Sequence, residues 1–181
     1  MCSPPRLIDL DLNGIDTVAV DLETSDPDLK DKGSGAIRDT GFVCGIAVAT
    51  GKQTFYFPIK HAHTANIPPE EAWAYLNKKL FQNPNIKKVF HNAMYDVCWI
   101  RKESGLMPQG PLLDTMVAAS VIDENRMKYS LDSLGKDYLN DFKYKWGLQE
   151  KTLTWSKGNI KDPMTNMDKL DYATVKDYAE Q

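Results

Sequence analysis

The sequence predicts an α/β domain built on a mixed sheet, and three observations predict it. Thr17–Glu23 (TVAVDLE) starts with β-branched and apolar residues and ends in acids, the signal of a buried strand. Phe42–Ala49 and Lys52–Ile59 are two strand-like runs with Thr50 and Gly51 between them, which reads as a hairpin. An amphipathic stretch, Glu70–Phe81, then precedes one more short strand, Ile86–Phe90, and the rest of the chain reads mainly as helix. Strand, hairpin, helix, strand and helices in that order make a sheet with both parallel and antiparallel neighbours.

Each element has its local cause. Asp26–Thr40 is polar and Gly-rich and reads as a loop. Pro68 and Pro69 open the amphipathic helix, whose Trp73, Leu76, Leu80 and Phe81 lie on or near one face, and Asn83-Pro84-Asn85 ends it. Asn92 is placed to cap a helix running to about Ser104, where Gly105 stops it. Leu112–Ile122 and Leu131–Leu139 read as two further helices. Asp168–Gln181 reads as helical to the last residue with no stop signal, as if the chain were cut inside an element.

A chain of 181 residues with 42% hydrophobic and 26% charged content is expected to form one globular domain. Cys2, Cys44 and Cys98 have no CxxC pairing and read as reduced thiols, Cys44 and Cys98 as small core residues. The start, MCSPPRLIDLDLNG, lacks a signal-peptide stretch, and the longest apolar run, Phe42–Ala49, is far below the roughly 20 residues that span a bilayer. The expectation is a soluble cytoplasmic protein with no membrane partner. A net charge of −3 excludes binding of nucleic acid by bulk positive charge. It does not exclude a carboxylate site that reaches phosphates through divalent cations, whose charge reverses the local electrostatics.

Such a site is suggested by the acids. Asp21 and Glu23 lie two apart at the end of the first strand, so alternation turns both to one side. Side-by-side carboxylates cost free energy unless a cation or donor compensates, although a polar strand end in water would also satisfy them. Asp96 falls one turn inside the next helix among Ala93, Met94, Val97, Cys98, Trp99 and Ile100, where an acid needs a partner or the helix dipole.

These residues carry a resemblance. DLET at 21–24, HNAMYD at 91–96, LLDTM at 112–116 with SLDSL at 130–134, and YAEQ at 178–181 occur in the order found in the 3′→5′ proofreading exonuclease domain of family A DNA polymerases, of the tyrosine-type DEDD superfamily. The resemblance implies an RNase H-like fold, a mixed sheet flanked by helices, over residues 17–181, with 1–16 as an N-terminal arm. It implies two divalent cations, Mg²⁺ or Mn²⁺, held by Asp21, Glu23 and Asp96. Asp21 would bridge both, Glu23 would hold the water-bearing ion, and Asp96 would act through the other ion's water shell. Tyr178 matches the tyrosine that orients the attacking water. Thr24, Asn92, Tyr95 and Met116 match positions lining a single-stranded DNA 3′ end, and a polymerase domain is the implied partner in the parent chain.

The family motif continues Y-x-x-x-D, whereas this chain ends at Gln181, so a truncated domain is expected. Asp177 precedes Tyr178 by one residue and sits about 140° around the helix from the expected position, as a solvated acid. Lys143, Lys145, Lys151, Lys157 and Lys161 with Trp146 and Trp155 form a basic, aromatic stretch that reads equally as a backbone-tracking surface or as a solvated loop. His61, His63 and His91 are expected to be neither metal ligands nor bases, with His61 and His63 in an exposed loop. Two other functions stay open: an exoribonuclease trimming RNA 3′ ends, and a non-catalytic binding module. Extending the chain past Gln181 by an Asp and a few helix-forming residues is expected to speed release of nucleotides from single-stranded DNA at every Mn²⁺ concentration, with the gap narrowing at high Mn²⁺. Equal rates would show that the added carboxylate is dispensable.

Overall fold

The computed structural model describes residues 7, 9–140, 146–156 and 166–180. Five strands, β1 (Thr17–Ser25), β2 (Phe42–Ala49), β3 (Thr54–Pro58), β4 (Lys87–Phe90) and β5 (Leu112–Asp114), form one sheet in the order β3-β2-β1-β4-β5. The β1–β2 and β2–β3 pairs are antiparallel, and β1–β4 and β4–β5 are parallel, so β1 stands where the strand direction changes. The helices are α1 (Leu29–Lys32), α2 (Gly35–Arg38), α3 (Pro69–Leu76), α4 (Ala93–Ser104), α5 (Thr115–Ile122), α6 (Leu131–Leu134), α7 (Trp146–Trp155) and α8 (Tyr172–Ala179). Wider π-helical turns prolong α3 through Phe81 and α6 through Leu139.

Two apolar clusters sandwich the sheet. On one face Val18, Val20 and Leu22 of β1 pack with Trp73, Leu76, Leu80 and Phe81 and with Val97, Trp99 and Ile100 of α4. Leu10 is fully buried in that cluster and its N–H donates to the Tyr75 hydroxyl at 2.7 Å, tying the segment before β1 to α3. On the other face Cys44, Ala47 and Tyr56 pack against Met167, Leu170, Val175, Tyr178 and Ala179. Alternation along β1 therefore sends Val18, Val20 and Leu22 to α3 and α4 and leaves Asp21 and Glu23 on the side that α8 covers.

Several sequence expectations change in detail. The hairpin loop holds Thr50–Gln53 rather than two residues, and Gly51 takes φ +78° within it. Asp26–Thr40 contains α1 and α2 rather than plain loop, nucleated in part by the Ser34 side chain accepting from Ala36 N–H. Leu112–Ile122 is a strand followed by a helix: Leu112 and Leu113 pair with β4, and the Asp114 carboxylate caps α5. Asp168–Gln181 is broken after a 3₁₀ turn at Met167–Lys169, because Asp171 starts α8 afresh by accepting from Thr174 N–H. Trp146 and Trp155 bound α7, on which Lys151 is exposed, so that part of the basic stretch is helix rather than loop. Lys143, Lys145, Lys157, Lys161, Cys2 and Gln181 lie outside the described residues. His61 is buried rather than exposed, its Nε2 2.8 Å from the Tyr56 hydroxyl, whereas His63 is exposed.

Asp114 serves two helices at once. Its carboxylate accepts from Asn92 and Ala93 N–H at 3.1 and 2.8 Å, and from Met116 and Val117 N–H at 2.8 and 3.3 Å. Burial works to raise its pKa, yet the four donors outweigh burial and hold it below the usual carboxylate range. Asn92 occupies the cap position of α4 in the left-handed region (φ 69°) and makes no side-chain cap, so Asp114 supplies what Asn92 was expected to supply. Asp114→Ala removes both caps, and a loss of about 1–4 kcal/mol in urea unfolding is expected. A stability change within about 0.3 kcal/mol, below the usual cost of a single lost cap, would show that these caps are redundant.

Candidate active site

The site forms where β1 parts from β4. Their pairing covers only Thr17–Ala19, so beyond it β4 no longer pairs with β1, and the Leu22 N–H donates to Asp96 Oδ1 at 3.3 Å. The first turn of α4 thereby delivers Asp96 to β1, and a register irregularity between Glu23 and Thr24 bends the strand end. Opposite, α8 brings Tyr178 over the same strand. The result is a cleft of about 230 Å³ lined by Asp21, Glu23, Thr24, Tyr95, Asp96 and Tyr178 together with Leu29, His91 and Asp132. Of the residues singled out in the sequence, those first six meet there. Asn92 is exposed at the α4 turn and Met116 is half-buried on α5, and neither lines the cleft. Asp177 is exposed, as expected.

Burial sets the electrostatics. Asp96 is 3% exposed, and burial first, then the charges of Asp21 and Glu23, pushes its pKa well above the usual carboxylate value. Burial likewise raises Tyr178, with Glu23, Asp21 and Asp132 adding to the effect, so its hydroxyl keeps its proton at any working pH. Behind Glu23 the sheet is packed with polar groups. The Cys44 thiol donates to the Glu23 carbonyl at 3.2 Å, and burial, Glu23 and Asp168 raise its pKa. Tyr56 leans across Gly45, where a Cβ would stand 1.8 Å from the tyrosine hydroxyl, so only glycine fits.

Three further lining residues, His91, Asp132 and Leu29, were not assigned a place in the site from sequence, although His91 and Asp132 lie in the quoted motif segments. His91 Nδ1 is 2.8 Å from Thr115 Oγ1, whose proton goes to the Phe90 carbonyl at 3.1 Å. A hydroxyl has one proton, so Nδ1 carries a hydrogen and donates it to Thr115. Asp132, from the SLDSL segment, adds a fourth carboxylate to the cleft, and Leu29 comes from a segment read as loop. Position in the fold identified them, because no local pattern marks a lone Asp on a short helix.

A carboxylate-rich donor set suits hard divalent cations. Among the described residues no three His, Cys, Asp or Glu side chains converge closely enough to cage an ion directly. Asp21, Glu23 and Asp96 are the carboxylates that would hold such an ion, and its charge would offset the burial and the neighbouring charges that raise the Asp96 pKa.

A mixed sheet with an acidic cleft at the point of strand reversal, flanked by helices, is the RNase H-like exonuclease fold. Residues 9–175 match the model of the 3′-5′ exonuclease family, and the chain belongs to that family, within the DEDD superfamily. The chain is 29% identical over 156 residues to the exosome complex exonuclease RRP6 of Saccharomyces cerevisiae, covering 86% of this chain and 18% of that protein. It is 42% identical over 65 residues to a DNA-directed DNA polymerase of Pseudomonas phage M6, covering 35% of this chain and 10% of the polymerase. The chain thus spans less than a fifth of either relative. The structure of NrnC from Brucella melitensis with bound Mg²⁺ superposes with a TM-score of 0.64 at 20% identity, covering 96% of this chain and 69% of that one, a likeness of fold.

Because the raised Asp96 pKa means that its ionised form costs stability, that cost is absent below the unfolded carboxylate pKa, grows as pH rises from that value to the folded one, and is constant above it. Asp96→Asn keeps an acceptor for Leu22 N–H and removes the charge. It is expected to stabilise the cation-free protein at pH 7 by about 1 kcal/mol or more, while added Mg²⁺ raises the melting temperature of the parent more than that of the variant. A variant less stable than the parent at pH 7 would show that Asp96 is not held at a cost.

Proposed function

We propose that the chain is a divalent-cation-dependent exonuclease that removes nucleotides from the 3′ end of single-stranded DNA, as the proofreading domain of a DNA polymerase. The observation that carries the reading is the convergence of Asp21, Glu23, Asp96 and Tyr178 on one cleft. Two cations, Mg²⁺ or Mn²⁺, would supply Lewis acidity toward the phosphodiester oxygens and acidify the attacking water. Asp21 and Glu23 from β1 and Asp96 from α4 would hold them. Tyr178, protonated and buried beside these acids, orients the attacking water by hydrogen bonding. Thr24 and Tyr95 form the wall against which the terminal nucleotide lies, and Asn92 and Met116 belong to the approach outside the cleft. The similarity to a phage DNA polymerase, and the Mg²⁺ in the NrnC structure, support the substrate and the cation.

A second reading has its own observation. The similarity to RRP6 runs over 86% of the chain, which favours an RNA 3′ end as substrate. Parallel digestion of DNA and RNA oligonucleotides of one sequence separates the two, and DNA is expected to be shortened faster. RNA shortened faster would transfer the proposal to 3′-end trimming of RNA. In either assay Asp21→Ala is expected to lower the rate by at least about 100-fold, since even second-shell partners of a metal site cost 10–100-fold. A folded variant that cleaves like the parent would remove Asp21 from the mechanism.

A further inference from the structure

A second hydrogen-bonded chain runs from the cleft away from the acids. Thr24 Oγ1 and Tyr95 Oη are 2.8 Å apart, and Tyr95 Oη donates to Asp26 Oδ2 at 3.2 Å. Asp26 is 1% exposed, accepts from Gly35 N–H at 2.9 Å on Oδ2, and faces Arg38 Nη2 at 3.4 Å on Oδ1. A carboxylate in an ion pair only accepts, so the Tyr95 proton is committed to Asp26. Thr24 must then be the donor in the bond to Tyr95, and its oxygen has only lone pairs left for the cleft. The polarity of the chain is set at Asp26, about two side chains from the nucleotide wall.

The same carboxylate holds the segment that carries α1 and α2. Gly35 sits so close to it that a Cβ would stand 2.8 Å from Asp26 Oδ1 and 2.4 Å from the Thr40 carbonyl. Lys102 of α4 donates to the carbonyls of Gly35, Thr40 and Gly41 at 3.1–3.4 Å, a second anchor on the same segment. Leu29, from α1, reaches the cleft. Building a buried, multiply bonded acid into a segment with no part in metal binding has no catalytic purpose of its own, but it fixes both the Leu29 side and the hydroxyl side of the wall.

We propose that Asp26 is a positioning residue for substrate: it orders the Tyr95 and Thr24 hydroxyls so that Thr24 presents a hydrogen-bond acceptor to the nucleotide, and it holds the α1–α2 segment as the cleft wall. The proposal rests on the exonuclease reading above. The test uses the full chain with Asp26→Asn, Tyr95→Phe and the double variant. Two quantities are read: KM and kcat for nucleotide release from a single-stranded DNA oligonucleotide at saturating Mn²⁺, and the affinity of the same fluorescein-labelled oligonucleotide in EDTA by anisotropy. Each single change is expected to raise KM and weaken binding by about 3–10-fold, the worth of one net hydrogen bond, with the effect falling on KM rather than kcat. The double variant is expected to match the worse single variant, because both cut one chain. Multiplied effects in the double variant, unchanged binding, or a loss confined to kcat would overturn the proposal. If Asp26→Asn melts early, Tyr95→Phe, which leaves the Gly35 and Arg38 contacts in place, decides alone by the same criteria. A parent that binds the oligonucleotide and never shortens it would sink the exonuclease reading while the anisotropy series still judged Asp26. A parent that does neither would overturn both.

Discussion

The Leu22 N–H donated to Asp96 is the bond on which the site depends. A strand in the middle of a sheet ordinarily spends its N–H groups on both neighbours. Here β4 ends early, β1 continues past it, and a donor becomes available at the edge of the parting. That donor draws the α4 carboxylate against β1, within the field of Asp21 and Glu23, although burial and both charges oppose it. The backbone bond sets the geometry, while burial and the charges of Asp21 and Glu23 raise the Asp96 pKa. The cap that Asp114 gives α4 fixes the angle from which Asp96 approaches, so a residue outside the cleft shares in its geometry.

The opposite wall follows from the other face of the sheet. α8 covers β1, β2 and β3 through Val175, Tyr178 and Ala179, so the tyrosine meets the β1 acids as a consequence of core packing. The layer beneath is polar where a core would ordinarily be aliphatic: Tyr56 and His61 bond each other, and Cys44 bonds the Glu23 carbonyl. Burial lowers the pKa of His61, so the native state prefers it neutral. Gly45 admits the Tyr56 ring to that layer, where Asp168 is also buried and is paired with Lys169.

The order of the elements was legible because hydrophobic periodicity reports which faces are buried, and β1, β2, α3 and α4 have strong, long periods. What was misread is short or set by a distant partner. β5 is three residues long, and its two leucines continue without a break into the helical run that follows. The expected cap by Asn92 failed because the capping carboxylate comes from 22 residues later, which no local rule anticipates. His61 was expected in solvent because it follows a strand and precedes polar residues. It is buried because Tyr56, five residues back, offers it a hydroxyl. In the site, Asp21, Glu23, Asp96 and Tyr178 were legible as motif residues. His91 and Asp132 lie in motif segments but were given no place in the site, and Leu29 lies in none, because their place in the cleft follows from how separate elements pack rather than from any spacing.

Charge explains why the two halves of the cleft are built differently. One side gathers Asp21, Glu23 and Asp96, where burial and the neighbouring charges raise the Asp96 pKa. The nucleotide side must stay ordered whether or not a cation is bound, and there the one buried acid, Asp26, is matched by Arg38 and a backbone donor. A paired buried carboxylate contributes little net stability by itself, yet removing a partner leaves an uncompensated charge. Such a group therefore adds specificity of geometry more than strength. On the proposed reading, substrate would lie against the wall that Asp26 holds, and Asp21, Glu23 and Asp96 on the other side would hold the cations.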